Sequence, residues 1–370
     1  MQCLETMTFT KEDIIKALSS VQDPDLKKDL VTLNMIRDID ITPGSVTFTV
    51  VLTTPACPLK EMIRQDCLKA VQLVVGENVD IQIIMTSSVT SNRSHTPLLS
   101  GVKNIIAIAS GKGGVGKSTV TSNLAVALAQ TGASVGLIDA DIFGPSVPVM
   151  FNCEAEQPEV KQINGKNVII PLEQYGVKLM SIGFLAPADS AVVWRGPMAS
   201  AALKQFISDA DWGDLDYLLI DMPPGTSDIH LTLVQTVPVT GAIIVTTPQK
   251  VALADATKGL AMFRQPQINV PVLGVIENMA YFTPEELPDN KYYIFGKDGG
   301  KNLAQKFNVP LLGQIPIVQS IRESGDSGRP VVLKEGVLGS IFLRLAESVA
   351  REIAIRNATF EQTKKVELTV

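Results

Sequence analysis

This chain of 370 residues has few histidines and few cysteines. It has 2 histidines and 4 cysteines, and no two cysteines form a C-x-x-C pair. The usual ligand spacing of a structural zinc site is therefore absent, so any metal other than Mg²⁺ would need dispersed or intermolecular ligands. In a chain of this length, scattered cysteines indicate reduced thiols rather than a disulfide framework. The residues are His95, His230, Cys3, Cys57, Cys67 and Cys153.

The chain also lacks an excess of basic residues and any long hydrophobic run. Its 32 Lys and Arg are outnumbered by 38 Asp and Glu, so the formal net charge is -6. Because phosphate backbones are neutralised by clustered basic residues, we expect no nucleic-acid partner. No apolar run approaches the length that crosses a bilayer, and residues 1–10 lack the basic start and apolar core of a signal peptide. We therefore expect a cytoplasmic protein with no membrane partner.

What the chain does contain is a glycine-rich stretch, NIIAIASGKGGVGKST, that organises the rest. An apolar, β-branched run precedes it and apolar residues at helical spacing follow it, which predicts strand, loop and helix. In that context G-x-x-x-x-G-K-[ST] predicts a loop whose backbone N–H groups converge on the phosphates of ATP. Lys117 would reach the β- and γ-phosphates, and Ser118 would ligate Mg²⁺. The expected contacts are Gly111, Lys112, Gly113, Gly114, Val115, Gly116, Lys117, Ser118 and Thr119.

Two later apolar strands end in carboxylates. SVGLIDAD ends in Asp139 and Asp141, and LDYLLIDMPPGTSD carries Asp221 before a stiff Pro-Pro-Gly turn. The carboxyl ends of strands face the ligand crevice in a parallel α/β sheet. We therefore expect Asp221 to hold Mg²⁺ through a water molecule, and the Gly225 N–H to sense the γ-phosphate.

The order of these patterns predicts four regions. Residues 1–86 form a small α+β domain of order αββαβ, and the Ser- and Thr-rich residues 87–101 form a linker. Residues 102–357 form an α/β P-loop domain with a mostly parallel sheet, in which Asn164-Gly165 marks a hairpin. Residues 358–370 form a loose tail.

Lys112 adds a second lysine to the loop, and GKGGVGKST resembles the deviant Walker A motif of the signature-lysine ATPases. That group includes MinD, ParA and nitrogenase iron protein. The resemblance implies a homodimer in which Lys112 of one subunit reaches the nucleotide held by the other. It also implies that Asp139 lies near Mg²⁺ through water, and that Asp141 positions or deprotonates the attacking water.

A closer resemblance rests on GKGGVGKST, DADIFGPS, WRGPM, DMPPGTSD and ENMAYF, which resemble the Mrp/ApbC/Nbp-type ATPases. DPDL, VTFTVVL and TPACP near the start resemble the metal–sulfur-cluster assembly domain that precedes many of them. The resemblance implies an ATP-hydrolysing, nucleotide-gated homodimer that carries an iron–sulfur cluster to apo iron–sulfur proteins or assembly factors. It also places Asn278 against the adenine. Trp194 is expected either near the nucleotide or in packing.

One departure concerns the cargo site, because the family's usual C-x-x-C pair after the ENMxYF segment is missing. Thr283–Glu286 reads Thr-Pro-Glu-Glu there, and none of these side chains is a soft ligand for a cluster. The best remaining ligand is Cys57, which we expect at a helix N-terminus that would lower its thiol pKa. Packing of Cys57 as a small apolar residue is an equally open alternative, and Cys67 is expected in the core.

Two other functions stay open at this point. A switch of the MinD/ParA class would need a membrane helix or a basic DNA-binding face, and the tail EQTKKVELTV is short and weakly amphipathic. An adaptor that binds nucleotide mainly to set its shape, without cluster carriage, is consistent with the missing C-x-x-C pair.

Overall fold

The computed structural model describes residues 9–94, 96–142, 144–163, 165–184, 196–284, 286–287 and 289–366. The chain divides into two compact units. One unit is Met1–Thr90 together with Ala354–Thr359, and the other is Ser91–Ile353 together with Phe360–Val370. Within the described ranges, no helix combines the length and apolarity that crossing a bilayer requires. Trp194, His95 and Glu285 lie outside the described residues.

The first unit has the predicted order of helices and strands, with one additional pair of two-residue strands. Its elements are α1 (Lys11–Leu18), β1 (Gln22–Asp23), β2 (Lys28–Asp29), β3 (Ile36–Thr42), β4 (Ser45–Leu52), α2 (Lys60–Val75) and β5 (Asp80–Ser87). β4 lies at the centre of a three-stranded sheet, antiparallel to β3 and parallel to β5. Helix α1 begins at a capping box, in which Thr10 and Asp13 satisfy each other's backbone N–H groups.

The core of the first unit consists of apolar side chains from α1, α2 and the sheet. Ile14, Phe48, Ile63 and Cys67 are fully or almost fully buried there. Burial raises the pKa of the Cys67 thiol to about 12, so this sulfur is a protonated core group. The prediction that Cys67 belongs to the core is confirmed.

The second unit contains an eight-stranded sheet whose strands run in the order β10-β11-β7-β12-β6-β13-β14-β15. β10 pairs antiparallel with β11, and the other neighbouring pairs are parallel, as the sequence predicts. The elements are β6 (Val102–Ala109), α3 (Lys117–Gln130), β7 (Val135–Asp139), α4 (Val147–Met150), β8 (Glu159–Ile163), β9 (Lys166–Ile170), β10 (Leu172–Gln174), β11 (Val177–Ser181), α5 (Gly196–Ser208), β12 (Leu215–Asp221), α6 (Asp228–Thr236), β13 (Gly241–Thr246), α7 (Lys250–Phe263), β14 (Val272–Glu277), α8 (Gly299–Lys306), β15 (Leu311–Gln314), α9 (Gln319–Asp326) and α10 (Val337–Thr359).

The register of the central strands brings three chain segments to one edge of the sheet. β6 lies between β12 and β13, and its residues are almost all apolar and buried because helices cover both faces of the sheet. Asp221 of β12 is the register partner of Asp139 in β7 and of Ile108 in β6. The glycine-rich loop after β6 therefore starts beside both carboxylates.

The described part of the tail differs from the prediction. Helix α10 continues to Thr359, and the N–H groups of Thr363 and Val366 donate to the carbonyl oxygens of Asn92 and Val234. Thr363 is only 8% exposed. The prediction of a loose tail is therefore wrong for residues 360–366, because their backbone groups pair with the second unit.

The predicted linker is also more ordered than its composition suggests. The Arg93 guanidinium donates to the carbonyl oxygens of Pro238, Leu99 and Val102, and burial lowers its pKa to about 10. Residues 91–101 therefore belong to the second unit rather than to a free connection.

A hairpin lies where the sequence predicts it. β8 and β9 pair antiparallel with Ile163 opposite Lys166, which leaves the two residues Asn164 and Gly165 for the turn. Asn164 lies outside the described residues, and Gly165 has φ +77°, as a tight hairpin turn requires.

Candidate functional site

The glycine-rich loop joins β6 to α3, and its glycines have two separate structural causes. Gly114 and Gly116 have φ of +81° and +78°, a left-handed conformation that favours glycine. Gly111 lies so close to α7 that a Cβ there would collide with the backbone of Asp255 and Ala256. Glycine is therefore needed in the loop for two reasons. Gly114 and Gly116 need it for their left-handed backbone conformation, and Gly111 needs it for close packing against α7.

Lys117, at the first position of α3, points into a cluster of acids. Its ammonium lies 2.8 Å from Asp221 Oδ2 and 3.9 Å from Asp141 Oδ2. The Ser118 hydroxyl is 3.3 Å from the same ammonium. Lys117 is 6% exposed, so its charge is held by these groups rather than by solvent.

Asp221 is fixed by hydroxyl groups as well as by Lys117. Ser118 Oγ donates to Asp221 Oδ2 at 2.6 Å, and Thr121 Oγ1 donates to Asp221 Oδ1 at 2.7 Å. Our sequence reasoning missed Thr121. It lies four residues after Lys117 on α3, and this helical spacing is the signal that could have placed it on the same face.

Asp139 is fully buried and accepts three hydrogen bonds. The donors are the Asp141 N–H at 3.1 Å, the Val147 N–H at 3.2 Å and the Ser181 hydroxyl at 3.0 Å. Burial raises the pKa of Asp139 to about 7, and the charge of Asp221 adds to this rise while Lys117 opposes it.

This group of side chains fits a divalent cation. Asp139 and Asp221 are both buried, and Lys117 forms an ion pair with Asp221 while its charge also acts on Asp139. A further positive charge would offset both the burial of Asp139 and its repulsion by Asp221, the two causes that raise its pKa. The available donors are carboxylate and hydroxyl oxygens, including Ser118 Oγ, and these are the ligands that Mg²⁺ prefers.

Two adjoining cavities extend from the loop. The first, of about 210 Å³, is lined by Ser110 and residues 112–119 together with Asp141, Ser146, Met150 and Pro224. The second, of about 600 Å³, has mainly apolar walls. Gly116, Thr119, Ser146 and Met150 line both cavities. The first is suited to phosphate groups and the second to a nucleoside.

Asn278 lies at the wall of the second cavity and supports the loop. Its Nδ2 donates to the Val115 carbonyl at 2.8 Å, and a Cβ on Gly116 would collide with the same nitrogen. The structure thus places Asn278 beside the nucleoside cavity, while its contact with adenine stays a prediction.

The Gly225 N–H has a hydrogen-bond partner that we did not expect. It donates to the Ser110 carbonyl at 2.8 Å, so the turn after β12 is tied to the glycine-rich loop. A contact between this N–H and a γ-phosphate would first require that hydrogen bond to break.

Family comparisons agree with this geometry. The model of the ParA family, described as NUBPL iron-transfer P-loop NTPase, matches residues 101–353. The chain belongs to this family. A second model, described as iron–sulfur cluster assembly protein, matches residues 11–83. The resemblance to Mrp-type ATPases with an N-terminal assembly domain is confirmed.

Relatives of this family align over nearly the whole chain. An iron–sulfur cluster carrier protein of Synechocystis is 49% identical over 94% of this chain and 97% of its own length. One from Deinococcus radiodurans is 46% identical over 93% of this chain and 95% of its own length. Among solved structures, a nucleotide-binding protein from Archaeoglobus fulgidus in complex with ADP is 38% identical, covers 64% of this chain and 91% of its own, and has a TM-score of 0.56.

Lys112, the signature lysine of the family motif, is positioned differently from Lys117. Its side chain is exposed, as are its neighbours Gly113 and Gly114. An exposed lysine at the mouth of the loop has the placement that contact with a second subunit would need. That trans contact stays a prediction.

Cys57 does not lie where the sequence reasoning placed it. Helix α2 begins at Lys60 with Leu59 as N-cap, and the Lys60 N–H donates to the Cys57 carbonyl at 3.4 Å. The expected helix N-terminal position is therefore wrong, because Cys57 precedes the first turn, where the helix dipole acts. The residue is half-buried. Among the described residues, no group of three or more His, Cys, Asp or Glu side chains is arranged to hold a metal ion.

Proposed function

We propose that this chain is an ATP-hydrolysing, nucleotide-gated homodimer that carries an iron–sulfur cluster to apo iron–sulfur proteins or assembly factors. The observation that carries the proposal is the buried network in which Lys117, Ser118 and Thr121 converge on Asp221 at the end of a P-loop. The names of the relatives support cluster carriage over the adaptor and switch alternatives.

In this proposal Lys117 exchanges one anion for another. Its ammonium pairs with Asp221 in the structure, and a β- or γ-phosphate in the adjoining cavity would compete for it. Lys112 of the second subunit would approach the same phosphates and neutralise charge that develops during transfer. Asp141 lines the cavity, and in this proposal it would orient or deprotonate the attacking water.

Ser118, Asp139 and Asp221 would hold Mg²⁺. The ion supplies positive charge that neutralises the phosphate oxygens. The three hydrogen bonds to Asp139 hold that carboxylate between the neighbouring strand, through Ser181, and the two ends of the turn after β7, through the N–H groups of Asp141 and Val147.

Gating follows from the bond between Gly225 and Ser110. If the γ-phosphate takes the Gly225 N–H, the turn before α6 separates from the Ser110 carbonyl. Hydrolysis would restore the original bond, so the position of the turn would report which nucleotide is present.

The cluster is the cargo, and Cys57 is the ligand that we propose for it. One thiolate cannot complete the coordination of an iron–sulfur cluster, so the remaining ligands would come from the second subunit or from the client. A reducing cytoplasm would keep this thiol from forming a disulfide. The working units in this proposal are the assembly-like residues 1–86 and the ATPase residues 102–357.

Replacement of Ser118 by Ala tests the ATPase part of the proposal. The change removes the hydroxyl that donates to Asp221 and would ligate Mg²⁺, and we expect phosphate release to fall by about 100-fold. Ser122→Ala on the same helix is the matched control, because Ser122 Oγ contacts Met150 Sδ rather than the acids. Unchanged turnover in Ser118→Ala would contradict the assignment. Negligible turnover with tight ATP binding in the unmodified chain would favour the adaptor.

A further inference from the structure

A further cavity of the second unit is separate from the phosphate cavity. It measures about 830 Å³ and lies between the edge strand β15, helix α10 and a segment that contributes residues 281–284, Glu286 and Lys291. Its walls contain none of the residues that surround Asp139 and Asp221. Its lining is mainly apolar, with Phe282, Leu312, Ile315, Leu338, Ile341 and Leu345. An apolar cavity of this size is typical of a binding site.

One wall of the cavity offers backbone hydrogen-bonding groups. β15 is the last strand of the sheet, and Gln314 is the register partner of Glu277 in β14. The Ile315 N–H donates to the Glu277 carbonyl, so in a parallel pair the backbone N–H and C=O of Gln314 point away from β14. No described residue pairs with them. A ligand with its own peptide backbone could satisfy both groups at once.

The rim of the cavity carries an excess of positive charge. Of the described residues that line it, Lys291 and Arg344 are basic and Glu286 is acidic, and all three are exposed. The Lys291 ammonium lies 4.3 Å from the centre of the Tyr281 ring, which holds it over the cavity wall. In a chain with a net charge of -6, this local excess favours an acidic ligand.

We propose that this cavity binds an extended peptide segment of a client protein, with alternating apolar and acidic residues, by adding it as a strand to β15. The apolar side chains of the peptide would enter the cavity, and its acidic side chains would reach Lys291 and Arg344. This inference rests on the proposed function only in identifying the peptide as part of a client.

The cavity shares a wall with the nucleoside cavity. Pro316 and Val318 line both, and Ile317 between them lines the nucleoside side. The Ile317 N–H donates to the Tyr281 carbonyl at 2.8 Å, so the two segments that separate the cavities are joined. We therefore expect the affinity for the peptide to differ at least several-fold between the nucleotide-free and the ADP-bound protein.

The test selects from a displayed library of random heptapeptides against the full chain, with counter-selection against Ile341→Trp. The larger tryptophan ring would obstruct part of the cavity beside α10. We expect the selected peptides to alternate apolar and acidic residues, and to lose at least 10-fold in affinity when alternate amides are N-methylated. Arg344→Glu should weaken binding of the selected peptides by a similar factor. Lys301→Glu, an equal charge reversal at an exposed position of α8 outside the cavity, should not.

Three outcomes would overturn the inference. They are a selection that yields no peptide dependent on Ile341, binding that resists N-methylation, and a shift of Ile341→Trp from dimer to monomer in sedimentation. The last would show that a second copy of the chain occupies the cavity. Phosphate release is measured on the same proteins. A chain that hydrolyses ATP but selects no peptide refutes this inference alone, whereas a chain that selects the peptide without hydrolysis refutes the proposed ATPase alone.

Discussion

Asp221 is held by three donor groups in the buried part of the site. Two hydroxyls and an ammonium are directed at its two carboxylate oxygens, and none of its surface is exposed. Because a buried carboxylate without partners is costly, the three donors and Asp221 depend on one another. Binding of phosphate by Lys117 would therefore leave Asp221 with a need for positive charge that Mg²⁺ would meet.

His230 provides a test at the scale of a single residue. The Ser227 N–H donates to His230 Nδ1 at 3.2 Å, so the imidazole takes the place that Glu or Gln has in a usual capping box at the start of α6. Nε2 is buried without a partner among the described residues. Burial is the main cause that lowers the pKa of His230 to about 4, and Lys117 contributes a smaller lowering.

A histidine whose pKa is lower in the folded state makes stability depend on pH in one direction. Between pH 6.5 and about 4 the unfolded chain binds one more proton than the folded chain, so the stability present above pH 6.5 is lost as the pH falls. We expect this residue to account for a loss on the order of 2 kcal/mol. His230→Gln, which keeps a cap acceptor without titrating, should remove that part of the loss. Urea unfolding at pH 7.5 and 4.5 measures it, and an equal loss in both proteins would contradict the account.

At the scale of elements, the sequence best predicts the features that depend on residues close together in the chain. The strand, glycine-rich loop and helix around Lys117 are set by neighbouring residues, and they were predicted correctly. The bonds of Thr121 to Asp221 and of Gly225 to Ser110 join segments about 100 residues apart, and they depend on the register of β12 against β6. Neither the composition nor the spacing of residues along the sequence predicts that register.

The same reason explains the errors outside the loop. The segment around Arg93 is polar, as is typical of a linker. The Arg93 guanidinium nevertheless donates to carbonyl groups that lie close together only in the folded chain. Cys57 was expected at the N-terminus of α2, but it lies two residues before the N-cap, Leu59. The helix itself begins at Lys60.

Gly111→Ala tests the packing of the loop against α7. Its Cβ would meet the backbone of Asp255 and Ala256, which cannot move as a flexible side chain can. We expect a loss of about 1–3 kcal/mol in stability from overpacking, and at least 10-fold weaker nucleotide binding because the loop must shift. Urea unfolding and nucleotide titration measure the two effects.

Gly259→Ala provides the comparison within α7. A Cβ there meets nothing within 4 Å, so the change should leave nucleotide affinity unaltered and stability equal or slightly higher. If both alanines behaved alike, the close approach of the loop to α7 would not be what requires glycine at position 111.

At the scale of the whole molecule, the trans role of Lys112 predicts complementation between inactive variants. Lys112→Ala lacks the lysine that would contact the nucleotide of the partner subunit. Lys117→Gln lacks the lysine that would contact the nucleotide of its own subunit, while the glutamine keeps a donor for Asp221. In a mixed dimer, one of the two sites has both lysines. An equal mixture should therefore recover about a quarter of the phosphate release of the unmodified protein. Each variant alone gives the background, and a mixture no more active than its components would exclude action in trans.

Cluster carriage is the central claim, and anaerobic reconstitution with iron and sulfide tests it most directly. Bound iron and visible absorption are measured for the unmodified chain, for Cys57→Ala and for Cys153→Ala. Burial raises the pKa of the Cys153 thiol to about 12, which makes it a protonated control. We predict a cluster in the unmodified chain and in Cys153→Ala, and its loss in Cys57→Ala. A full complement of iron in Cys57→Ala, or none in the unmodified chain, would contradict the account.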